Sequence, residues 1–116
     1  MATNKTYEKI AVGDTAELIR ECSSNDLLIF AHASGSQNPI HLPDTDWTGD
    51  GQVDKPVAPA MWMSGLASAV LGNLLPGPGT VYKAQSLRFL GGAAVGDKLH
   101  VKVTATEKEA GQYRRL

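Results

Sequence analysis

One stretch of the sequence, residues 56–75, is apolar on nearly every face instead of along a single stripe. Only Ser64, Ser68 and Asn73 interrupt it with polar side chains. A helix that is hydrophobic on all sides has to be surrounded by protein or by lipid. At a rise of roughly 1.5 Å per residue the stretch is short for a membrane span, and it is rich in Gly and Ser. We therefore predict a buried central helix over 56–75, with a sheet curled around it.

The composition indicates one globular domain of ordinary size, since 116 residues can bury a core without disulfides or a metal. The 11 basic and 12 acidic residues leave no electrostatic footprint for nucleic acid or an anionic membrane, so we expect neither as a partner. The single cysteine, Cys22, excludes an internal disulfide, and its surroundings favour a small buried hydrophobe over a nucleophile. Because the N-terminus also lacks the apolar core of a signal peptide, we expect a cytoplasmic protein.

Local signals predict the elements that precede the central stretch. Residues 15–22 alternate imperfectly between polar and apolar, which indicates a strand with one solvated face. Ser23 and Asp26 form an approximate capping box, so a short helix should begin there and end at Gly35. Its expected buried face consists of Leu27, Leu28, Ile29, Phe30 and Ala33.

Further strands are predicted after the central stretch and the Pro-Gly-Pro-Gly break at 76–79. Residues 80–90 mix β-branched and aromatic residues with polar ones, which indicates a long strand. Residues 98–106 alternate cleanly, so Leu99 should face inward and His100 should lie on the polar face. Residues 112–116 are expected to begin one more strand.

Residues 34–41, which read Ser-Gly-Ser-Gln-Asn-Pro-Ile-His, combine small, turn-forming residues with a terminal histidine. Pro39 fixes its own φ and biases Asn38 away from the helical region, so the backbone before His41 should be rigid and extended. Such a frame can aim an imidazole ring. On residue chemistry alone, however, a histidine after a turn is more often a structural hydrogen-bonding group, and we interpret His32 in that way.

The segment 30–41 resembles the signature of the MaoC-like dehydratases, the (R)-specific enoyl-CoA hydratases, which runs Phe-Ala-x-x-Ser-Gly-Asp-x-Asn-Pro-[Ile/Leu/Val]-His. The resemblance covers most of the chain. It implies an α+β hot-dog fold, a curved antiparallel sheet wrapped around one long central helix, which agrees with the helix predicted over 56–75. It also implies a homodimer or higher homo-oligomer, and a single domain over 1–116 that lacks the last C-terminal strands of the family.

In this family the Asp and His of the signature act on one water molecule beside an acyl-CoA tunnel, without a metal or another cofactor. The resemblance therefore implies that His41 is a catalytic proton donor and acceptor, and that Asn38 orients the water or the histidine. Ser36 stands where relatives have the catalytic aspartate. A neutral hydroxyl cannot take a proton from water as a carboxylate can, and loss of a general base costs roughly 10²- to 10⁴-fold in rate. Asp44 and Asp46, which follow closely, are possible replacements.

Substrate binding is implied at three further positions. Gly35 belongs to the signature, and Pro59-Ala60 occupies the place where relatives commonly carry His-Gly. The N–H of Ala60, at the start of the central helix, is expected to polarise the thioester carbonyl, although its methyl group crowds the approach.

The sequence leaves three functions open. The first is reversible hydration of trans-2-enoyl-CoA to (R)-3-hydroxyacyl-CoA. The second, suggested by Ser36, is a catalytically weak subunit that binds acyl thioesters or serves a structural role. The third is an acyl-CoA thioesterase, but the acidic residue that marks these enzymes on the central helix is absent from 57–70.

The polar loop 42–55 contains Asp44-x-Asp46-x-x-Gly49, which hints at a calcium loop. Thr48 and Lys55 stand where further oxygen ligands belong, so we predict a solvated acidic loop and no metal site.

Overall fold

The computed structural model describes residues 4–109, and within them it contains two α-helices, two paired strands and two short 3-10 helices. In chain order these are a 3-10 helix at Tyr7–Lys9, β1 at Thr15–Glu21, α1 at Ser24–Ser34, a 3-10 helix at Pro39–His41, α2 at Ala60–Asn73 and β2 at Lys98–Thr104. No helix within this described part combines the length and the apolar character needed to cross a bilayer.

The two strands pair antiparallel, with Thr15 opposite Thr104 and Glu21 opposite Lys98. Along β2 exposed and half-buried residues alternate without a break, as the sequence predicts for a sheet with one covered face. His100 lies on the exposed face, where its Nε2 is 2.5 Å from a carboxylate oxygen of Glu17 on β1. The predicted polar position of His100 is therefore confirmed.

Helix α1 begins and ends where the sequence predicts. The Ser23 hydroxyl accepts a hydrogen bond from the Asp26 N–H at 3.1 Å, and the Asp26 carboxylate accepts one from the Ser23 N–H at 3.2 Å. This reciprocal pair is the capping box. Gly35 has a φ of 77°, in the left-handed region that favours glycine, and its N–H donates to the Ala31 carbonyl at 2.9 Å.

The predicted buried face of α1 was partly wrong. Leu27 and Ala31, one turn apart, are buried, and Phe30 packs against the same core. Leu28 and Ile29 are 48% and 59% exposed, and Ala33 is also exposed. Consecutive helical residues point about 100° apart, so a run of four apolar residues cannot share one face.

Helix α2 is shorter than the stretch that predicted it. Pro59 is the residue before its first turn, and the segment before it is extended: Val57 forms an antiparallel bridge with Ala94, and the Ala58 N–H donates to the Ala93 carbonyl at 2.8 Å. Proline disfavours helical geometry in the residue before it, which explains why the helix begins only at Ala60.

Within the described residues α2 is buried along one stripe, formed by Trp62, Leu66 and Val70. Met61 is 54% exposed, so the prediction of burial on all sides does not hold for this part of the chain. Trp62 and Leu66 of this stripe belong to one core cluster, which consists of Cys22, Leu27, Ala58, Trp62, Leu66 and Ala93. Cys22 is 1% exposed, and burial, with the charges of Asp26 and Asp97, raises the pKa of its thiol. This confirms Cys22 as a small buried hydrophobe.

The strand predicted over 80–90 does not pair with any other described segment. Residues 81–92 are exposed throughout, and the sheet among residues 4–109 consists of β1 and β2 alone. A strand forms only where a partner satisfies its N–H and C=O groups, and β-branched residues cannot substitute for that partner. The strand predicted over 112–116 lies outside the described residues.

Candidate active site

His41 is held by a backbone carbonyl. Its Nδ1 lies 2.6 Å from the carbonyl oxygen of Val57, and its ring is half-buried. In the opposite direction, the Val57 N–H donates to the Ile40 carbonyl at 2.9 Å. These two bonds join the histidine motif to the extended segment that leads into α2. Because the contact uses the backbone carbonyl of Val57, whose side chain is apolar, no pattern in the sequence indicates it.

The turn before His41 is organised by Asn38. Its side-chain oxygen accepts the Ile40 N–H at 3.3 Å, and its backbone carbonyl accepts the His41 N–H at 3.0 Å. Asn38 is extended, as Pro39 predicts, but residues 39–41 form a single 3-10 turn in place of the extended backbone expected before His41. The asparagine closes that turn in the manner of an Asx cap. Its side-chain NH₂ makes no hydrogen bond within the described part of the chain.

Thr45 ties the acidic loop to this turn. Its hydroxyl lies 2.9 Å from both the Pro39 and the Leu42 carbonyl oxygens. A threonine in a polar loop has no distinctive pattern, so the sequence does not predict this role. These two hydrogen bonds hold the start of the acidic loop against the turn that contains His41.

Ser36 and Gly35 lie at the exposed exit from α1. The Ser36 N–H donates to the Ser34 hydroxyl at 3.1 Å, but the Ser36 hydroxyl has no hydrogen-bond partner among residues 4–109. No hydrogen bond joins Ser36 to His41 within those residues. The position therefore offers a solvent-facing hydroxyl and no group that could activate it as a base.

The N-terminus of α2 provides free hydrogen-bond donors. Pro59 is buried and supplies no side-chain cap. Of the first residues of the helix, Met63 donates to the Pro59 carbonyl at 3.1 Å, whereas the N–H groups of Ala60 and Met61 have no partner within the described residues. Such N–H groups form the positive end of the helix dipole and favour a developing negative charge.

A short stretch of chain connects the residue that holds His41 to this helix end. Val57, which binds the imidazole, precedes Ala60 by three residues, a length of chain that spans at most roughly 10–11 Å. The carbonyl that holds His41 therefore lies within three residues of Pro59 and Ala60 along the chain, and Asn38 shares the turn of the histidine. The resemblance also implies Gly35 and Ser36 as site residues. Within the described chain, no hydrogen bond connects either of them to His41, Asn38 or the start of α2.

The acidic loop does not supply an obvious base. The carboxylate of Asp46 accepts the N–H groups of Gly49 and Gly51, each at 2.7 Å, and that of Asp50 at 3.2 Å. Burial alone would raise the pKa of Asp46, but these N–H donors outweigh it and hold the pKa below its usual value. Asp46 is therefore engaged in closing its own loop. Asp44 is exposed and makes no hydrogen bond within residues 4–109.

Three carboxylates of the loop, those of Asp46, Asp50 and Asp54, have oxygens within 4.8 Å of one another. Asp54 accepts hydrogen bonds from the N–H and the hydroxyl of Thr48, both at 2.9 Å. The cluster is thus accounted for by bonds within the loop, and the absence of a metal site stays a prediction.

Comparison with known proteins gives a consistent result. Residues 8–115 match the family model described as a MaoC like domain. The chain is 41% identical, over 101 residues, to a 3-hydroxybutyryl-CoA dehydratase of Methylorubrum extorquens, covering 87% of this chain and 64% of that protein. It is 37% identical, over 100 residues, to an (R)-specific enoyl-CoA hydratase of Rhodospirillum rubrum, covering 86% of this chain and 69% of that protein. The chain thus spans slightly less than two thirds of the length of the Methylorubrum protein.

Solved structures agree with this similarity. The unliganded R-hydratase PhaJ1 from Pseudomonas aeruginosa matches with a TM-score of 0.83 and 37% identity, over 92% of this chain and 68% of that one. The (R)-hydratase from Aeromonas caviae involved in PHA biosynthesis matches with a TM-score of 0.77 and 32% identity, over 86% of this chain and 75% of that one. These neighbours, together with the helices and antiparallel strands, confirm the predicted α+β hot-dog fold.

Proposed function

The chain belongs to the family of MaoC-like domains, and from this membership we propose that it catalyses reversible hydration of trans-2-enoyl-CoA to (R)-3-hydroxyacyl-CoA. The names of its relatives, an (R)-specific enoyl-CoA hydratase and a 3-hydroxybutyryl-CoA dehydratase, support the reaction class. The observation that carries the proposal is the bond from His41 to the Val57 carbonyl, because it ties the imidazole to the short segment that leads into the free donors of the α2 N-terminus.

In the proposed reaction His41 accepts a proton from water and donates one to the substrate. The hydroxide equivalent adds to C3 of the enoyl group, and negative charge moves onto the thioester oxygen. The Ala60 N–H stabilises that charge at the helix N-terminus. Asn38 orients the water through its free side-chain NH₂, and Gly35 and Pro59 line the acyl thioester. Neither a metal nor another cofactor takes part.

Ser36 lowers the expected rate. Its hydroxyl can hydrogen-bond the water but cannot accept the proton as the family's aspartate does. Restoring a carboxylate by Ser36→Asp should therefore raise hydration of crotonyl-CoA, by up to the roughly 10²- to 10⁴-fold that a general base contributes.

The test is the loss of enoyl-thioester absorbance when crotonyl-CoA is added to wild-type protein, Ser36→Asp and His41→Ala. His32→Ala is the matched control, since His32 is exposed on α1 and belongs to no part of the proposed site. We expect slow turnover by wild type, faster turnover by Ser36→Asp, loss in His41→Ala and no change in His32→Ala. Failure of both wild type and Ser36→Asp to hydrate the substrate contradicts the proposal.

A second candidate function is a catalytically weak subunit that binds acyl thioesters or has a structural role, and the unpartnered, exposed hydroxyl of Ser36 favours it. Saturable binding of crotonyl-CoA in calorimetry, without turnover by wild type, would establish it. The thioesterase alternative has no observation in its favour, because α2 carries no Asp or Glu.

We also propose a homodimer or higher homo-oligomer. Segment 81–92 is exposed and unpaired, and it carries large apolar side chains: Leu87, Phe89 and Leu90 are 45%, 50% and 88% exposed. Exposed apolar side chains that cluster along one segment favour contact with another protein surface, and we propose that this surface is a second copy of the chain. Light scattering at micromolar concentration should give at least twice the monomer mass, and a monomeric mass contradicts the proposal.

A cytoplasmic location is proposed on the basis of the free thiol of Cys22, which sits in the core without a disulfide partner. Fractionation of cells that produce the protein should recover it with cytoplasmic markers. The near balance of acidic and basic residues also supports the proposal that it binds neither nucleic acid nor membrane.

A further inference from the structure

We infer that a single atom, Nε2 of His41, performs both proton transfers of the hydration, without a carboxylate partner. This inference rests on the proposed function, which it deepens by assigning the general base to one nitrogen.

The contact with Val57 determines which nitrogen is available. A carbonyl oxygen can only accept a hydrogen bond, so Nδ1 at 2.6 Å must carry the hydrogen. In the neutral imidazole the other nitrogen then holds the lone pair. Nε2 makes no hydrogen bond within residues 4–109, and it is therefore free to accept a proton from a bound water.

No carboxylate of the described chain bonds to His41. Asp46 and Asp54 are engaged by donors of their own loop, and Ser36 presents only a hydroxyl. Asp44 follows His41 by three residues, and its side chain makes no hydrogen bond in the described part of the structure. The other charged residue close to this segment in sequence is Lys55, two residues before Val57, and a lysine ammonium cannot serve as a carboxylate base. Asp44 is thus the rival base that an experiment has to exclude.

The proton balance closes with one nitrogen. Nε2 takes a proton from water while the water oxygen forms a bond to C3, and the C2=C3 electron pair moves to give an enolate of the thioester. The enolate then collapses, C2 takes the proton back from Nε2, and the ring returns to its starting tautomer. Water has been added across the double bond, and nothing has been oxidised or reduced.

The first test measures the tautomer. Histidine labelled with ¹⁵N is introduced into the whole protein, and the imidazole signals are recorded at a pH where the ring is neutral. His41 is identified by the signal lost in His41→Ala, with His32 and His100 as references. We expect hydrogen on Nδ1 and none on Nε2; a neutral His41 ring with hydrogen on Nε2 overturns the inference, whatever the activity.

The second test compares hydration of crotonyl-CoA by wild type, His41→Ala and Asp44→Asn. A loss of roughly 10²- to 10⁴-fold in His41→Ala, with wild-type rates in Asp44→Asn, supports the inference. If Asp44→Asn loses as much as His41→Ala, Asp44 is the base, and the inference fails while the proposed function stands. Activity that survives His41→Ala has the same consequence. If wild type and Ser36→Asp are both inactive, the proposed function fails and the inference with it.

Discussion

At the scale of single residues, the site combines an anchored histidine with an exposed serine. The Val57 carbonyl fixes the imidazole of His41, whereas nothing in the described chain fixes the hydroxyl of Ser36. Positioned groups contribute to a rate because their reorganisation is avoided at the moment of reaction. We therefore attribute the proposed chemistry to His41 and the donors of α2, and a reduced rate to Ser36.

The proposed oxyanion donor is the backbone N–H of Ala60, and the methyl side chain of the same residue limits how closely a ligand can approach that N–H. The change Ala60→Gly should raise kcat/KM for crotonyl-CoA, because the carbonyl oxygen can then approach the N–H without the methyl group. It should also lower the free energy of unfolding by up to about 1 kcal/mol. Steady-state kinetics and urea unfolding check both effects. Ala67→Gly, farther along α2, is the matched control and should lose stability without a gain in rate; equal kinetics in the two variants would contradict the role of Ala60.

The sequence indicates candidate site residues through a distinctive side chain or a match to the family signature, such as His41, Asn38 and Ala60, and their roles stay predictions. It could not predict Val57, because the group that binds His41 is a backbone carbonyl, and any residue type has one. Which segment reaches the imidazole depends on the bridge between Val57 and Ala94, and such a pairing of distant segments has no local signature.

At the scale of elements, the two helices begin for different reasons. Helix α1 begins at a side-chain capping box, and α2 begins after Pro59 with its first donors left free. A capped helix end is stable on its own, while an uncapped end is available to a ligand. This difference agrees with the proposed function, in which α1 supports the site and the N-terminus of α2 faces the substrate.

The cap of α1 should be measurable in stability. Ser23→Ala removes the acceptor of the Asp26 N–H and should lower the free energy of unfolding by about 0.5–2 kcal/mol in urea titrations. Ser24→Ala is the matched control, since Ser24 makes no hydrogen bond through its hydroxyl within the described residues. An equal loss in both variants would show that the cap contributes nothing specific.

Asp26 should make α1 sensitive to acid. Burial alone would raise the pKa of this carboxyl, but the Ser23 hydroxyl and N–H and the Arg20 guanidinium at 2.7 Å together hold it below its usual 3.8. A carboxyl whose pKa is lowered by folding stabilises the protein above the unfolded value, and that stabilisation is lost as the pH falls through the lowered value. Urea unfolding between neutral and acidic pH should therefore show a smaller acid loss in Asp26→Asn than in wild type. Identical pH profiles would contradict this account.

Element boundaries were predicted well where a side chain sets them and poorly where tertiary packing sets them. Ser23, Asp26 and Gly35 fixed α1 correctly, because caps act within a few residues. The extent of α2 was overestimated, since an apolar run does not distinguish a buried helix from the buried extended segment at 56–58.

At the scale of the whole molecule, one core cluster contains side chains of α1 and α2, together with Cys22, which directly follows β1. Leu27 of α1 lies with Trp62 and Leu66 of α2, and partly buried Leu99 and Val101 of β2 pack against them. Since both helices and β2 contribute side chains to this core, we propose that they unfold as one domain.

Replacement of Leu27 by Ala tests that shared core. Leu27 is 1% exposed, so Leu27→Ala should lower the free energy of unfolding by about 2–5 kcal/mol and keep one cooperative urea transition. The neighbouring Leu28 is 48% exposed, and Leu28→Ala should cost far less. Two separate transitions in wild type, or equal losses in the two variants, would contradict a single core to which Leu27 belongs.

The general architecture followed from the sequence, but the pairing of strands did not. Alternation in 98–106 predicted β2 because one face of that strand is covered. Its pairing with β1 joins residues that lie 77 to 89 positions apart in the chain, from Glu21 and Lys98 to Thr15 and Thr104. Segment 80–90 has the composition of a strand but no partner among the described residues. Composition therefore indicates only the propensity for a strand, and the strand itself forms only where a second segment pairs with it.

The configuration of the product tests the central claim most directly. Crotonyl-CoA is incubated with the Ser36→Asp variant and, for longer, with wild type, and the 3-hydroxybutyryl thioester is hydrolysed and separated by chiral chromatography. We expect the (R) product from both proteins, because the site that presents water to C3 is the same in each. The (S) product, a racemate, or the absence of any hydroxy acid would contradict the proposal that this chain is an (R)-specific hydratase.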